Sequence, residues 1–169
     1  MHSYPSNASG RDFIVGDIHG EFDMLMRLLK SVEFDGQVDR LFSVGDLIDR
    51  GPKSAECLSM LGMPWFFAVL GNHEQMMLMS ARSDCKPETW SAWMANGGHW
   101  AMMLSKEELS QVAHCLRYCP IAIRVGSGSE AFRIVHAEFI GEDEDWGGDW
   151  SERTMMAALW GRTFGNPLQ

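Results

Sequence analysis

Three apolar runs, each closing on glycine and then on ligand-type polar residues, constrain this chain more than any other feature. Phe13-Ile14-Val15 leads into Gly16-Asp17-Ile18-His19-Gly20, and Leu41-Phe42-Ser43-Val44 leads into Gly45-Asp46-Leu47-Ile48-Asp49-Arg50-Gly51. Trp65-Phe66-Phe67-Ala68-Val69-Leu70 leads into Gly71-Asn72-His73-Glu74. An apolar run that empties into charged residues reads as a buried strand ending at a loop. The runs start roughly 30 residues apart, the length of a βαβ unit, so three strand ends can line up in one parallel sheet. Ligands collect at the carboxyl ends of such strands. A carboxylate at a strand mouth, as Asp46 is, is costly to bury unless a cation or hydrogen bonds compensate it.

The segments between and after these runs supply the rest of a single α/β domain. Met24, Leu25, Leu28, Leu29 and Val32 recur at helical spacing. Pro52 can open a second helix with Cys57, Leu58 and Leu61 inward, and Gln75 to Met79 forms part of a third. With 13 methionines in the chain, adaptable packing accounts for that Met-rich stretch better than a ligand role does. Three tryptophans between Trp90 and Trp100 surround Asn96-Gly97-Gly98-His99 and are equally compatible with a substrate-pocket wall and with a small core under a loop. Ser105-Lys106-Glu107-Glu108 carries the capping-box pattern ahead of a helix through Leu109, Val112, Ala113 and Leu116. Residues 121–125 and 131–135 flank a Gly/Ser turn and predict a hairpin, whose second strand ends in His136. A last helix is expected over Glu152 to Trp160 with Met155, Met156 and Leu159 inward. Polar residues 1–11 read as a flexible leader before a domain spanning 12–169.

Composition excludes several classes of partner. The formal net charge of −9 argues against a nucleic-acid groove, which needs clustered Lys and Arg. No apolar run approaches the roughly 20 residues of a membrane span. The four cysteines show no paired metal-knuckle spacing and no secretory leader precedes the first strand, so reduced thiols in the cytoplasm are expected. His114, Cys115 and Cys119 share one helical turn, which reads as a core-facing helix side in preference to a metal site. The acidic run from Gly141 to Asp149 lacks EF-hand spacing and reads as a solvated loop.

Taken together, Asp17, His19, Asp46, Asn72 and His136 offer hard oxygen and imidazole donors suited to Mn, Fe or Zn. The motifs Gly16-Asp17-x-His19-Gly20, Gly45-Asp46-x-x-Asp49-Arg50-Gly51 and Gly71-Asn72-His73-Glu74 resemble those of the calcineurin-like metallophosphoesterases of the PPP serine/threonine phosphatase type. Glu74-Gln75-Met76 and Asn96-Gly97-Gly98 favour its bacterial and phage branch. The resemblance implies an α/β fold, a β-sandwich flanked by helices in four layers, α/β/β/α. It implies hydrolysis of phosphoserine and phosphothreonine monoesters, and of phosphotyrosine at the margin, on a phosphoprotein or phosphopeptide. Two divalent ions are implied, Mn²⁺ first with Fe or Zn as alternatives: Asp17 and His19 for one, Asn72 and His136 for the other, Asp46 between them. Arg50 would grip the phosphate, His73 oriented by Asp49 would protonate the leaving group, and Arg162 resembles a second phosphate-binding arginine. A diadenosine polyphosphate hydrolase shares the same three motifs.

The family's further strand ending in Gly-His-Thr has no counterpart after Arg162. The fold is therefore expected to be C-terminally incomplete, the second metal to lack a ligand, and a β edge to lie open to self-association. Three explanations stand side by side: a truncated gene, a partner chain that supplies the missing strand, or a partial site, the last implying an impaired metal- or phosphate-binding module that acts through partners.

Overall fold

The computed structural model describes residues 1–141, 146 and 148–162. Its architecture is two three-stranded sheets facing one another, with helices against them. One sheet is entirely parallel, in the order β2 (Asp12–Val15), β3 (Arg40–Ser43), β4 (Phe66–Ala68). The crossovers are α1 (Phe22–Ser31) and α2 (Ser54–Ser59), so the expected pair of βαβ units is present. In the other sheet β5 (Ala122–Val125) lies between β1 (His2–Tyr4), to which it is parallel, and β6 (Phe132–Val135), its antiparallel hairpin partner.

The layers follow from side-chain alternation. Phe42 and Val69 face Ile123, Val125 and Ile134 across the sandwich, with Tyr4, Phe67 and Phe132 around them. The opposite face of the parallel sheet sends Leu41, Phe66 and Ala68 into a larger core. Leu25, Cys57, Met77, Trp93 and Leu116 meet them there from the helices. These come from α1, α2, α3 (Asn72–Ser80), α4 (Pro87–Ala95) and α5 (Lys106–Leu116). Ser105 caps α5 by accepting from Glu108 N, and Glu108 accepts from Ser105 N in return, as the capping-box pattern requires. Arg11 clamps Asp39 at the start of β3 through two side-chain bonds and a backbone N–H. That clamp holds the Asp39 carboxyl well below the usual carboxylate range.

Several expectations need correction. The start of the chain is not a loose leader, because His2–Tyr4 adds a strand to β5 and Asn7 donates to the carbonyls of Arg11 and Val38. In α1 only Leu25 is fully buried, while Met24 and Leu28, and Val32 just after the helix, remain exposed. β2 is an edge strand, and Ile14, in register with Phe42 on the face turned toward the second sheet, is 55% exposed. In α6 (Glu152–Trp160) the inward residues are Ala158 and Leu159, whereas Met155 and Met156 are exposed. Cys115 is exposed and burial pushes the Cys119 thiol up to about 12, so no donor cluster forms on that turn among the described residues. Residues 142–145 and 147 of the acidic run lie outside the described residues. No helix among those described is long and apolar enough to cross a membrane.

Candidate metal centre

The loops at the ends of β2, β3 and β4 are laced together by their own backbone. Ile18 N and His19 N both donate to Asp46 O (3.0 and 2.8 Å), Gly20 N donates to Leu47 O, and Gly51 N donates to His19 O. This close approach needs glycine, since a Cβ on Gly51 would strike the His19 carbonyl. It also bends the chain hard. His19, Asp46, Asp49 and Arg50 hold φ between +45° and +73°, four of the five non-glycine residues with positive φ among those described. Each such residue costs on the order of 1–3 kcal/mol, and strain of this kind gathers where side chains must be aimed.

Asp46 is the hub. It is 3% exposed, and its Oδ1 accepts from His73 N in the first turn of α3 (3.0 Å), where the helix dipole favours an anion. Three imidazoles surround it through Nε2: His19 at 3.6 Å, His73 at 3.9 Å and His136 at 3.6 Å. In each ring Nδ1 is already engaged. His19 Nδ1 donates to Ile48 O (2.9 Å), His136 Nδ1 to Val44 O (2.9 Å) and His73 Nδ1 to Asp49 Oδ2 (2.7 Å). A carbonyl can only accept, so His19 and His136 carry their proton on Nδ1 and leave an unprotonated Nε2 within 3.6 Å of Asp46. That is the arrangement in which protein groups orient metal-binding histidines.

The donor set fits divalent cations. Ligand atoms of Asp17, Asp46 and His136, and those of His19, Asp46 and His73, lie within 4.8 Å of one another. Asn72, at the start of α3, has a buried Oδ1 with no hydrogen-bond partner. A buried acceptor left without a hydrogen-bond partner is unfavourable alone and can be satisfied by a cation. Asp17 is exposed at the rim, 3.9 Å from His19 Nε2.

Arg50 lies across the opening, exposed, and donates to His19 Nε2 (2.7 Å) and His73 Nε2 (3.0 Å). Arg162 is not drawn into the cluster by any hydrogen bond or ion pair among the described residues, and its side chain is exposed. It follows the end of α6, which docks beside the site: Ala137 N and Glu138 N donate to α6 carbonyls, and Trp160 Nε1 donates to Gln75 Oε1.

Sequence reasoning left three residues of this site without a role. Glu74 is fully buried and accepts from Asp46 N and Gly71 N through Oε2 and from Leu47 N through Oε1, so it ties the β3 and β4 loops together. Burial, with the Asp46 carboxylate second, pushes its carboxyl up to about 7 against the pull of those N–H groups. Its position three residues after Gly71 is the spacing at which a carboxylate reaches back to a helix start. Trp93 and Trp100 donate to the two oxygens of Asp49 (2.8 and 2.7 Å). Neither of the two tryptophan readings anticipated that bond.

Fold, strand-end donors and motif spacing together define a class: the chain belongs to the calcineurin-like phosphoesterase family, whose model matches residues 13–151. Among individual relatives it is 42% identical over 137 residues to serine/threonine-protein phosphatase 1 of Salmonella typhimurium, covering 79% of this chain and 62% of that protein. It is 45% identical over 127 residues to a symmetrical bis(5'-nucleosyl)-tetraphosphatase of Dechloromonas aromatica, covering 74% of this chain and 42% of that one. A solved serine/threonine phosphatase from Saccharomyces cerevisiae superposes with a TM-score of 0.65 at 21% identity, over 95% of this chain and 52% of that chain, a likeness of fold. The chain thus spans about two thirds or less of the length of these relatives.

Proposed function

We propose that the chain carries the catalytic centre of a metal-dependent phosphomonoesterase acting on phosphoserine and phosphothreonine in proteins or peptides. The observation that carries this reading is the convergence of three imidazole Nε2 atoms on buried Asp46, with Arg50 across the mouth and an unpartnered buried Oδ1 on Asn72, the residue before His73. Asp17, His19 and Asp46 would hold one ion and Asp46, Asn72 and His136 the other, most simply Mn²⁺. Bound there, such ions supply Lewis acidity and a water molecule activated at neutral pH.

The remaining chemistry belongs to the chain's own residues. Arg50 presents a planar fork that matches two phosphoryl oxygens, which a lysine would not reproduce. His73, with Asp49 on Nδ1, meets Arg50 through Nε2; with Arg50 turned to the phosphate, that nitrogen would be free to carry the proton for the departing alkoxide. Arg162, exposed just after α6, would be the second cation that receives the phosphate of a large substrate. The test is hydrolysis of a phosphoserine peptide with added Mn²⁺, comparing wild type with Asp46→Asn and His73→Asn. Both variants should lose about 100-fold or more in kcat; unchanged turnover in both refutes the assignment.

The second reading is a dinucleotide polyphosphate hydrolase, favoured by the similarity to the symmetrical tetraphosphatase. Parallel assays of a phosphopeptide and diadenosine tetraphosphate separate the two. Stoichiometric Mn²⁺ binding with no turnover of either substrate would identify a binding module instead.

A further inference from the structure

We propose that Trp93 and Trp100 are positioning residues, whose indole N–H groups fix the Asp49 carboxylate and, through it, the His73 ring that hands a proton to the leaving oxygen. The inference rests on the phosphomonoesterase reading and gives the tryptophans a part in it. Asp49 is 0% exposed, so its oxygens depend wholly on protein donors. They receive Trp100 Nε1 on Oδ1 (2.7 Å), and Trp93 Nε1 (2.8 Å) and His73 Nδ1 (2.7 Å) on Oδ2. Held by His73 alone, the carboxylate would be free to turn about its own axis and carry the imidazole with it. Donors on both oxygens remove that freedom. Arg50 meets His73 on Nε2 and is not bonded to Asp49, so the fixed donors on the carboxylate, apart from His73, are neutral. A neutral indole orients the carboxylate without becoming a rival cation to a protonated His73.

The segment carrying the indoles is built for this task. Trp93 is fully buried in the last turn of α4 and packs edge-to-face on Trp90 (5.4 Å, 89°). Gly98 passes so close to the Trp93 ring that a Cβ would lie 2.7 Å from it. Gly97, at φ +108°, turns the chain and offers its carbonyl to Arg50 N (3.3 Å). One short stretch therefore grips both Asp49 and the backbone of Arg50. An indole has few rotatable bonds, so packed this way it is a rigid donor.

The experiment compares wild type, Trp100→Phe and Trp93→Phe on two esters with Mn²⁺: p-nitrophenyl phosphate, whose leaving group departs without a proton, and a phosphoserine peptide, whose alkoxide needs one. Trp100→Phe should lower kcat on the peptide by roughly 10- to 100-fold with KM unchanged, and alter p-nitrophenyl phosphate turnover by less than about threefold. Equal losses on both esters, or none on either, overturn the inference while leaving the phosphatase reading intact. No turnover of either ester by wild type overturns the phosphatase reading itself. An independent readout needs no turnover: in ion-free, ¹⁵N-tryptophan-labelled protein, two indole N–H signals should resist solvent exchange and move on Asp49→Asn. Persistence of the Trp93 signal in Trp100→Phe shows that the variant is folded. Two freely exchanging signals that ignore Asp49→Asn overturn the inference.

Discussion

Replacing Gly71 with alanine should disable the metal centre by steric displacement alone. Gly71 sits at φ −94° and ψ 174°, an extended conformation that alanine adopts freely, so no backbone strain enters. Its missing Cβ is where the trouble lies. A Cβ there would overlap Asp46 Oδ1 and Asp46 N and come within 2.6 Å of Glu74 Oε2, whereas real Cβ atoms essentially never approach below 3.0 Å. Asp46 must then retreat by on the order of 1 Å, and a misplacement of that size can cost about 100-fold in rate. Overpacking a tight site also costs roughly 1–3 kcal/mol, or about 2 to 12 °C in Tm for a domain of this size. Calorimetric titration with Mn²⁺ reads the displaced ligand, phosphopeptide turnover the rate, and thermal melts the stability. Gly16→Ala is the control, because it also opens a motif yet its Cβ would meet nothing within 4 Å. Gly71→Ala binding Mn²⁺ within threefold of wild type at an unchanged Tm would refute the reasoning.

Other consequences are equally direct. Arg50→Lys keeps the charge but loses the fork, and should cost roughly tenfold or more in kcat/KM on a phosphopeptide; an unaltered value removes Arg50 from the phosphate site. Glu74 has a raised carboxyl in the ion-free protein, so its stabilising contribution is full below its ordinary value of 4.5 and is lost as pH rises through about 7. Urea denaturation of wild type relative to Glu74→Gln should show that decline, and parallel pH profiles for the two proteins would contradict it.

The strands and the donor set were legible because glycine and charged residues end each apolar run abruptly. β2, β3 and β4 fall within the three runs or one residue from their starts. Periodicity told which side of α1 is apolar, but not whether anything covers it, and Met24 and Leu28 are in fact exposed. The three residues of β1 carry no alternation to read, since their pairing depends on β5 more than a hundred residues away. The indole bonds to Asp49 span 44 and 51 positions, a separation that no local pattern encodes. Glu74 was half readable: its spacing to Gly71 marks a helix start, but its grip on Asp46 N and Leu47 N exists only once two loops meet.

The central claim is that Asp46 is shared by two cations, one completed by Asp17 and His19 and the other by Asn72 and His136. Anomalous difference maps from crystals soaked in Mn²⁺ test it without reference to any substrate. The account predicts two peaks about 3.5–4 Å apart, flanking the Asp46 carboxylate, with Asn72 Oδ1 on one of them. Mn²⁺ bound away from Asp46, or Asn72 Oδ1 turned from every peak, would contradict it.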